Sequence, residues 1–79
     1  MNNSVITIDH DIQSGMPVFT GTRVPVKSLF DYISTGSTIE NYLEDYPYIT
    51  KDQVYKLLVL LGDLFFNTTQ TLFNENSTR

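Results

Sequence analysis

The chain has 79 residues, 41% of them hydrophobic, no cysteine, and a formal net charge of −4 from nine acidic and five basic side chains. A domain of this size buries only about 60% of the surface its unfolded chain exposes, and the lack of cysteine excludes a disulfide framework or thiolate zinc site as a staple, which leaves a second subunit. The negative charge opposes nonspecific binding to nucleic-acid phosphates.

Five Tyr and five Phe make the composition that of a folding domain, not a disordered one. The start "MNNSVITIDHD" carries no basic segment before an apolar run, and no stretch reaches the roughly 18 apolar residues of a membrane span. The expectation is a cytoplasmic protein with no membrane association.

In chain order, "VITI" at 5–8 is β-branched throughout and "PVF" at 17–19 is a second short apolar run, so both predict strands. The turn formers of "DHDIQSGM" between them predict a hairpin or two strands bridged by a loop. Such a hairpin is marginal alone and needs helices, or another copy's strands, to cover it.

From Val26 the period becomes helical, with Val26, Leu29, Phe30 and Ile33 on one face. Pro25 suits the first turn of this helix and Gly36 its left-handed C-terminal cap. "STIE" at 37–40 has the capping-box form, with Ser37 as cap and Glu40 reaching back, and Ile39, Tyr42, Leu43 and Tyr46 form the apolar face of helix two. Pro47 stops it. "TKDQ" at 50–53 is a further capping box, Thr50 to Gln53, and opens helix three.

On helix three Val54, Leu57, Leu58, Leu61, Leu64 and Phe65 gather on one side, Val59 and Phe66 point the other way, and Leu60 lies on a flank. A domain this small cannot cover every side of that helix, so something else covers it. The stretch 67–79, "NTTQTLFNENSTR", is polar apart from Leu72 and Phe73 and reads as frayed or as ordered by binding. The organisation expected is therefore a domain over 1–66 and a polar tail over 67–79.

Little in the chain suggests catalysis. His10 is the single histidine, and in "DHD" at 9–11 neighbouring side chains of an extended chain point to opposite faces, so they read as solvated turn residues and not as a metal site. Asp31, Glu40, Glu44 and Asp45 fall opposite the apolar stripes and read as solvent faces of helices one and two. Ser14 and the threonines lack a spaced base, and no phosphate-binding glycine loop occurs. No enzymatic activity, cofactor, metal or small-molecule substrate is expected.

The lengths of the helices and of their connections match a helix-turn-helix, which would make helix three the recognition helix. Its candidate DNA-binding residues are Thr50, Lys51, Gln53, Tyr55 and Lys56, with Lys suited to guanine or phosphate and Gln53 to an adenine edge unless its capping role occupies it. The alternative is a protein interaction module that never touches DNA, since residues 24–63 hold only the bases Lys27, Lys51 and Lys56. Arg23 in "GTRVPV" could anchor a partner's carboxylate or a phosphate. It could equally hold the hairpin to helix one, a structural role that Gly21 and Pro25 favour.

The runs "SGMPVFTGTRVPV" and "GSTIENYLEDYPYITKDQV" resemble a small bacterial domain-of-unknown-function family marked by G-x-P, G-T-R-[IV]-P-V and a Y-P-x-[IL]-[ST] break before the last helix. The resemblance runs from about Ile8 to Leu58, with Gly15, Pro17, Gly21, Thr22, Arg23, Pro25, Gly36, Tyr46 and Pro47 where the pattern has them. It implies a mainly α fold, a short N-terminal β-hairpin followed by a three-helix, homeodomain-like helix-turn-helix. It also implies the antitoxin half of a toxin–antitoxin pair, which neutralises a PIN-like ribonuclease and binds operator DNA as a homodimer for autoregulation. Where that family carries small residues in the last helix, this chain has Lys56, Leu57 and Leu61. On this reading Val59, Leu60, Phe66, Leu72 and Phe73 hold the toxin, and Gly21, Thr22, Arg23 and Pro25 form a structural motif.

Overall fold

The computed structural model describes residues 4–77. Two short strands, β1 (Ile6–Thr7) and β2 (Val18–Phe19), pair antiparallel with Ile6 opposite Phe19 and Thr7 opposite Val18. β1 is shorter than the apolar run around it. The Ser4 hydroxyl accepts the Ile6 N–H and donates to the Ile6 carbonyl, which closes the outer edge of β1 with local bonds.

The loop between the strands is tightly built. Asp9 Oδ1 accepts the Asp11 N–H at 2.9 Å, and a single 3₁₀ turn over Gln13–Gly15 follows. All three of its residues have positive φ, at 50°, 56° and 87°. Two of them are not glycine, so the turn carries backbone strain. The Gln13 side chain offsets part of it by donating to the Arg23 carbonyl at 3.0 Å.

"GTRVPV" folds back on β2. Gly21, at φ 84°, makes the reversal, and the Thr22 hydroxyl donates to the Phe19 carbonyl and accepts the Val24 N–H. Phe19 N–H then donates to the Val24 carbonyl and Val26 N–H to the Pro17 carbonyl, so Val18 faces Pro25 in a pair that exchanges no hydrogen bond. A missing N–H is harmless there, which is how a proline sits beside a strand. Pro25 therefore precedes the first helix instead of forming its first turn. The expected structural role of Arg23 falls to its backbone carbonyl: its side chain is exposed, with no ion-pair partner among the described residues.

Three helices follow: α1 (Lys27–Ser34), α2 (Ile39–Asp45) and α3 (Lys51–Ser77). Gly36, at φ 94°, ends α1 in the left-handed conformation, as its position in the sequence indicates. The α2 cap is displaced by one residue: Thr38, not Ser37, accepts the Asn41 N–H, so the Ser37–Glu40 box does not form. The Thr50–Gln53 box does form, with Gln53 N–H on Thr50 Oγ1 at 3.1 Å and Thr50 N–H on Gln53 Oε1 at 2.9 Å.

The core joins the hairpin to all three helices through Val5, Phe19, Val26, Leu29, Tyr42, Ile49, Val54 and Leu57. On α1 the face is rotated from the expected one: Leu29 is buried and Tyr32 packs on the core, while Phe30 and Ile33 stay about 40% exposed. Tyr32, Tyr42 and Tyr46 fix α1 against α2, with ring centroids 4.6–5.7 Å apart. The Ser28 hydroxyl donates to the Pro25 carbonyl at 2.7 Å and also meets Tyr42 Oη at 2.7 Å. Ser28 has one proton, so Tyr42 donates to it, and the "GTRVPV" joint is tied to α2 through one buried phenol.

The core ends along α3 at Leu61. α3 does not end there: residues 67–77, expected as a polar tail, continue it without a break, although the side chain of Phe73 lies outside the described residues. Sixteen residues, 62–77, thus extend past the domain, about 24 Å of helix.

Candidate functional site

α3 presents two surfaces. At its N-terminal end, next to the α2–α3 turn, Tyr48 is 82% exposed and Tyr55 half-exposed, with Lys51 Nζ 5.8 Å from the centre of the Tyr55 ring. Lys56 pairs with Asp52 at 3.1 Å, one turn back, in an exposed contact of small energy that nevertheless neutralises the lysine locally.

Of the five candidate DNA-binding residues, Thr50 and Gln53 are committed to the cap. Gln53 also donates through Nε2 to the Thr20 carbonyl at 3.2 Å, which docks the start of α3 onto the hairpin. Both ends of its amide are occupied, so it has no free pair of groups for an adenine edge. Lys51, Tyr55 and Lys56 remain at the surface. Tyr48 joins them; the sequence signal for it is its place in the tight turn after Pro47, where a large side chain finds no core to enter.

The second surface is apolar and runs along the outer part of α3. Val59, Phe66 and Leu72 are exposed by 64%, 66% and 55%. Leu60 is half-buried against the core and belongs to the domain, not to the outer face. Leu64 and Phe65, which the helical period assigns to the inner side, are 54% and 60% exposed because the core has ended one turn earlier.

Spacing divides these residues into two stripes. Tyr55, Val59, Gly62 and Phe66 follow one another at four, three and four residues along the solvent side. Leu61, Leu64, Phe65, Thr68 and Leu72 continue the face whose inner end, Val54 and Leu57, is buried.

The phenols carry the electrostatic perturbations. Tyr32 Oη donates to Asp45 Oδ2 at 2.6 Å. That hydrogen bond, with burial and the negative carboxylate, pushes the Tyr32 pKa up to about 12. Burial pushes the Tyr42 phenol up as well. Asp31 pairs with Lys27, and among the described residues no three His, Asp or Glu side chains converge. Nor is any helix among them long and apolar enough to cross a membrane.

A curated relative, an uncharacterized protein designated y4eO from Sinorhizobium fredii, is 34% identical over 50 residues, which cover 63% of this chain and 23% of that protein. The chain therefore spans less than a quarter of the relative it matches. No solved structure matches it. The hairpin, the "GTRVPV" fold-back, α1, α2 and α3 up to Val59 all lie within residues 6–59, the span matched by the family described as protein of unknown function (DUF433), and the chain belongs to that family.

Proposed function

We propose that this chain is a non-catalytic protein-binding module of the antitoxin type, which captures its partner on the solvent-side stripe of α3. The observation that carries this reading is the exposure of Val59 and Phe66, two large apolar side chains one heptad apart beside Tyr55. Water-facing residues of that kind on a charged-poor helix mark interaction surfaces. The partner implied by the family resemblance is a PIN-like ribonuclease, held by occlusion without chemistry on this chain.

Co-expression with a ribonuclease encoded beside it tests the reading. The expected result is a stable complex and relief of toxicity, both lost in Val59→Asp with Phe66→Asp while helical circular dichroism is retained. Absence of any complex and of any relief would sink the antitoxin function.

A second reading, operator binding through the α3 N-terminus, has the α2–turn–α3 arrangement and exposed Lys51 and Tyr55 in its favour. Against it stand the charge of −4, the ion pair on Lys56 and the occupied amide of Gln53. A mobility-shift series across salt separates the two, because phosphate contacts impose a steep salt slope. A shift abolished by Lys51→Ala with Lys56→Ala supports DNA binding; no shift at low salt leaves the protein-binding module.

A further inference from the structure

From the inner stripe of α3 we infer that a second copy of this chain pairs with the overhanging helix in antiparallel orientation, centred on Thr68. The inference stands apart from the partner-protein reading, which uses the opposite stripe.

Four observations lead to it. The stripe Leu61, Leu64, Phe65, Thr68 and Leu72 is continuous with the face that Val54 and Leu57 bury in the domain core, yet Leu64, Phe65 and Leu72 are more than half exposed. A face that is core at one end and open at the other is an interface lacking its other half.

Charge then selects the occupant. Between Lys56 and Glu75 the helix carries a single charge, Asp63, and Asp63 falls on the side away from this stripe. An acidic chain of net charge −4 would repel itself through most of its surface; on this line the helical period adds only Glu75 at the far end, and an antiparallel pair sets the two copies' glutamates at opposite ends, so no like charges meet.

The spacing is self-complementary. Leu64 and Leu72 lie four residues either side of Thr68. An antiparallel two-fold pair centred there sets Leu64 of each copy against Leu72 of the other, with the smaller Thr68 at the crossing, where helices approach closest. The antiparallel sense also opposes the helix dipoles and keeps the two acidic domains at opposite ends.

The area is adequate. With the flanking threonines, such a pairing buries on the order of 1,000 Å² in total, at the lower bound of specific interfaces. The dimer therefore forms in a concentration-dependent way instead of being permanent.

Sedimentation across the micromolar range tests the pairing on the intact chain. The expected result is a reversible monomer–dimer equilibrium, shifted fully to monomer in Phe65→Lys and unchanged in Phe66→Lys, with helical circular dichroism preserved in both. A wild-type chain that stays monomeric throughout overturns the inference, as does a dimer that Phe66→Lys disrupts and Phe65→Lys spares. Orientation is read by cross-linking, which is unambiguous because the natural chain has no cysteine. Mixed Leu64→Cys and Leu72→Cys chains should form a disulfide on mild oxidation while neither variant does so alone. Disulfides in each variant alone, with no bond between positions 64 and 72 in the mixture, would show a parallel pair and overturn the antiparallel one. Loss of ribonuclease capture in Phe66→Lys with the dimer intact would leave this inference standing, and the converse loss would leave the partner reading standing.

Discussion

Thr50, Gln53, Tyr32 and Gly21 do most to fix the local geometry. The Thr50 hydroxyl satisfies one of the otherwise unpaired N–H groups at the start of α3, and Gln53 returns the bond while gripping Thr20 of the hairpin. Thr50→Ala should therefore cost about 1 kcal/mol, read as a lower midpoint in thermal circular dichroism. Gln53→Ala should cost more than Thr50→Ala, since it also releases the hairpin, and the same melts compare the two.

Tyr32 gives a prediction with a definite sign. Its folded-state pKa of about 12 lies above the ordinary 10.0, so the native state holds this proton more tightly than the unfolded chain does. The associated stability is complete below pH 10 and is lost as pH rises through about 12. Denaturant unfolding should show stability falling over that alkaline window, with a shallower fall in Tyr32→Phe. In Asp45→Asn, ultraviolet titration of the phenols should find Tyr32 shifted back towards 10, because the hydrogen bond to the carboxylate is the leading cause of the shift.

At the scale of elements, what was legible in the sequence follows how local the determining physics is. Gly36, Pro47 and the Thr50–Gln53 box act over three or four residues, and each places a helix end where the structure has it. The choice between Ser37 and Thr38 as cap turns on a single backbone angle, which two adjacent hydroxyl residues leave open. The α1 face is less legible. Phe30 and Ile33 fit the helical period as well as Tyr32 does, and the edge-to-face packing of Tyr32 with Tyr42 and Tyr46, fourteen residues away at most, decides which side turns inward.

The far end of α3 is less legible for a related reason. The polar composition of 67–77 suggests a tail, but the stretch holds no proline and no glycine, so nothing in the backbone stops a helix already nucleated at Thr50. Amide hydrogen exchange at dilutions where the chain is monomeric should show this division. Protection should be strong around Val54, Leu57 and Leu61 and weak beyond Gly62, where no core lies beneath the helix. Uniform protection along α3 in the monomer would contradict it. The exposure of Val59 and Phe66 is legible from the helical period, whereas that of Leu64 and Phe65 is not, because the point where a stripe leaves the core depends on how far the domain extends.

Across the whole molecule, the radius of gyration is 15.1 Å and the longest dimension 49 Å. A compact domain of this length would have a radius near 12 Å. The difference is α3, whose 27 residues reach about 40 Å.

That projecting helix also acts as a ruler. Lys51 lies seventeen residues before Thr68, so two copies crossing at Thr68 would hold their α3 N-termini about 50 Å apart. One turn of duplex DNA measures about 34 Å, and 50 Å is close to one and a half turns. The two ends would then meet opposite faces of a straight duplex. If the pair binds an operator at all, footprinting should find half-sites about 15 base pairs apart on bent DNA, out of phase with the one-turn spacing of an ordinary helix-turn-helix dimer.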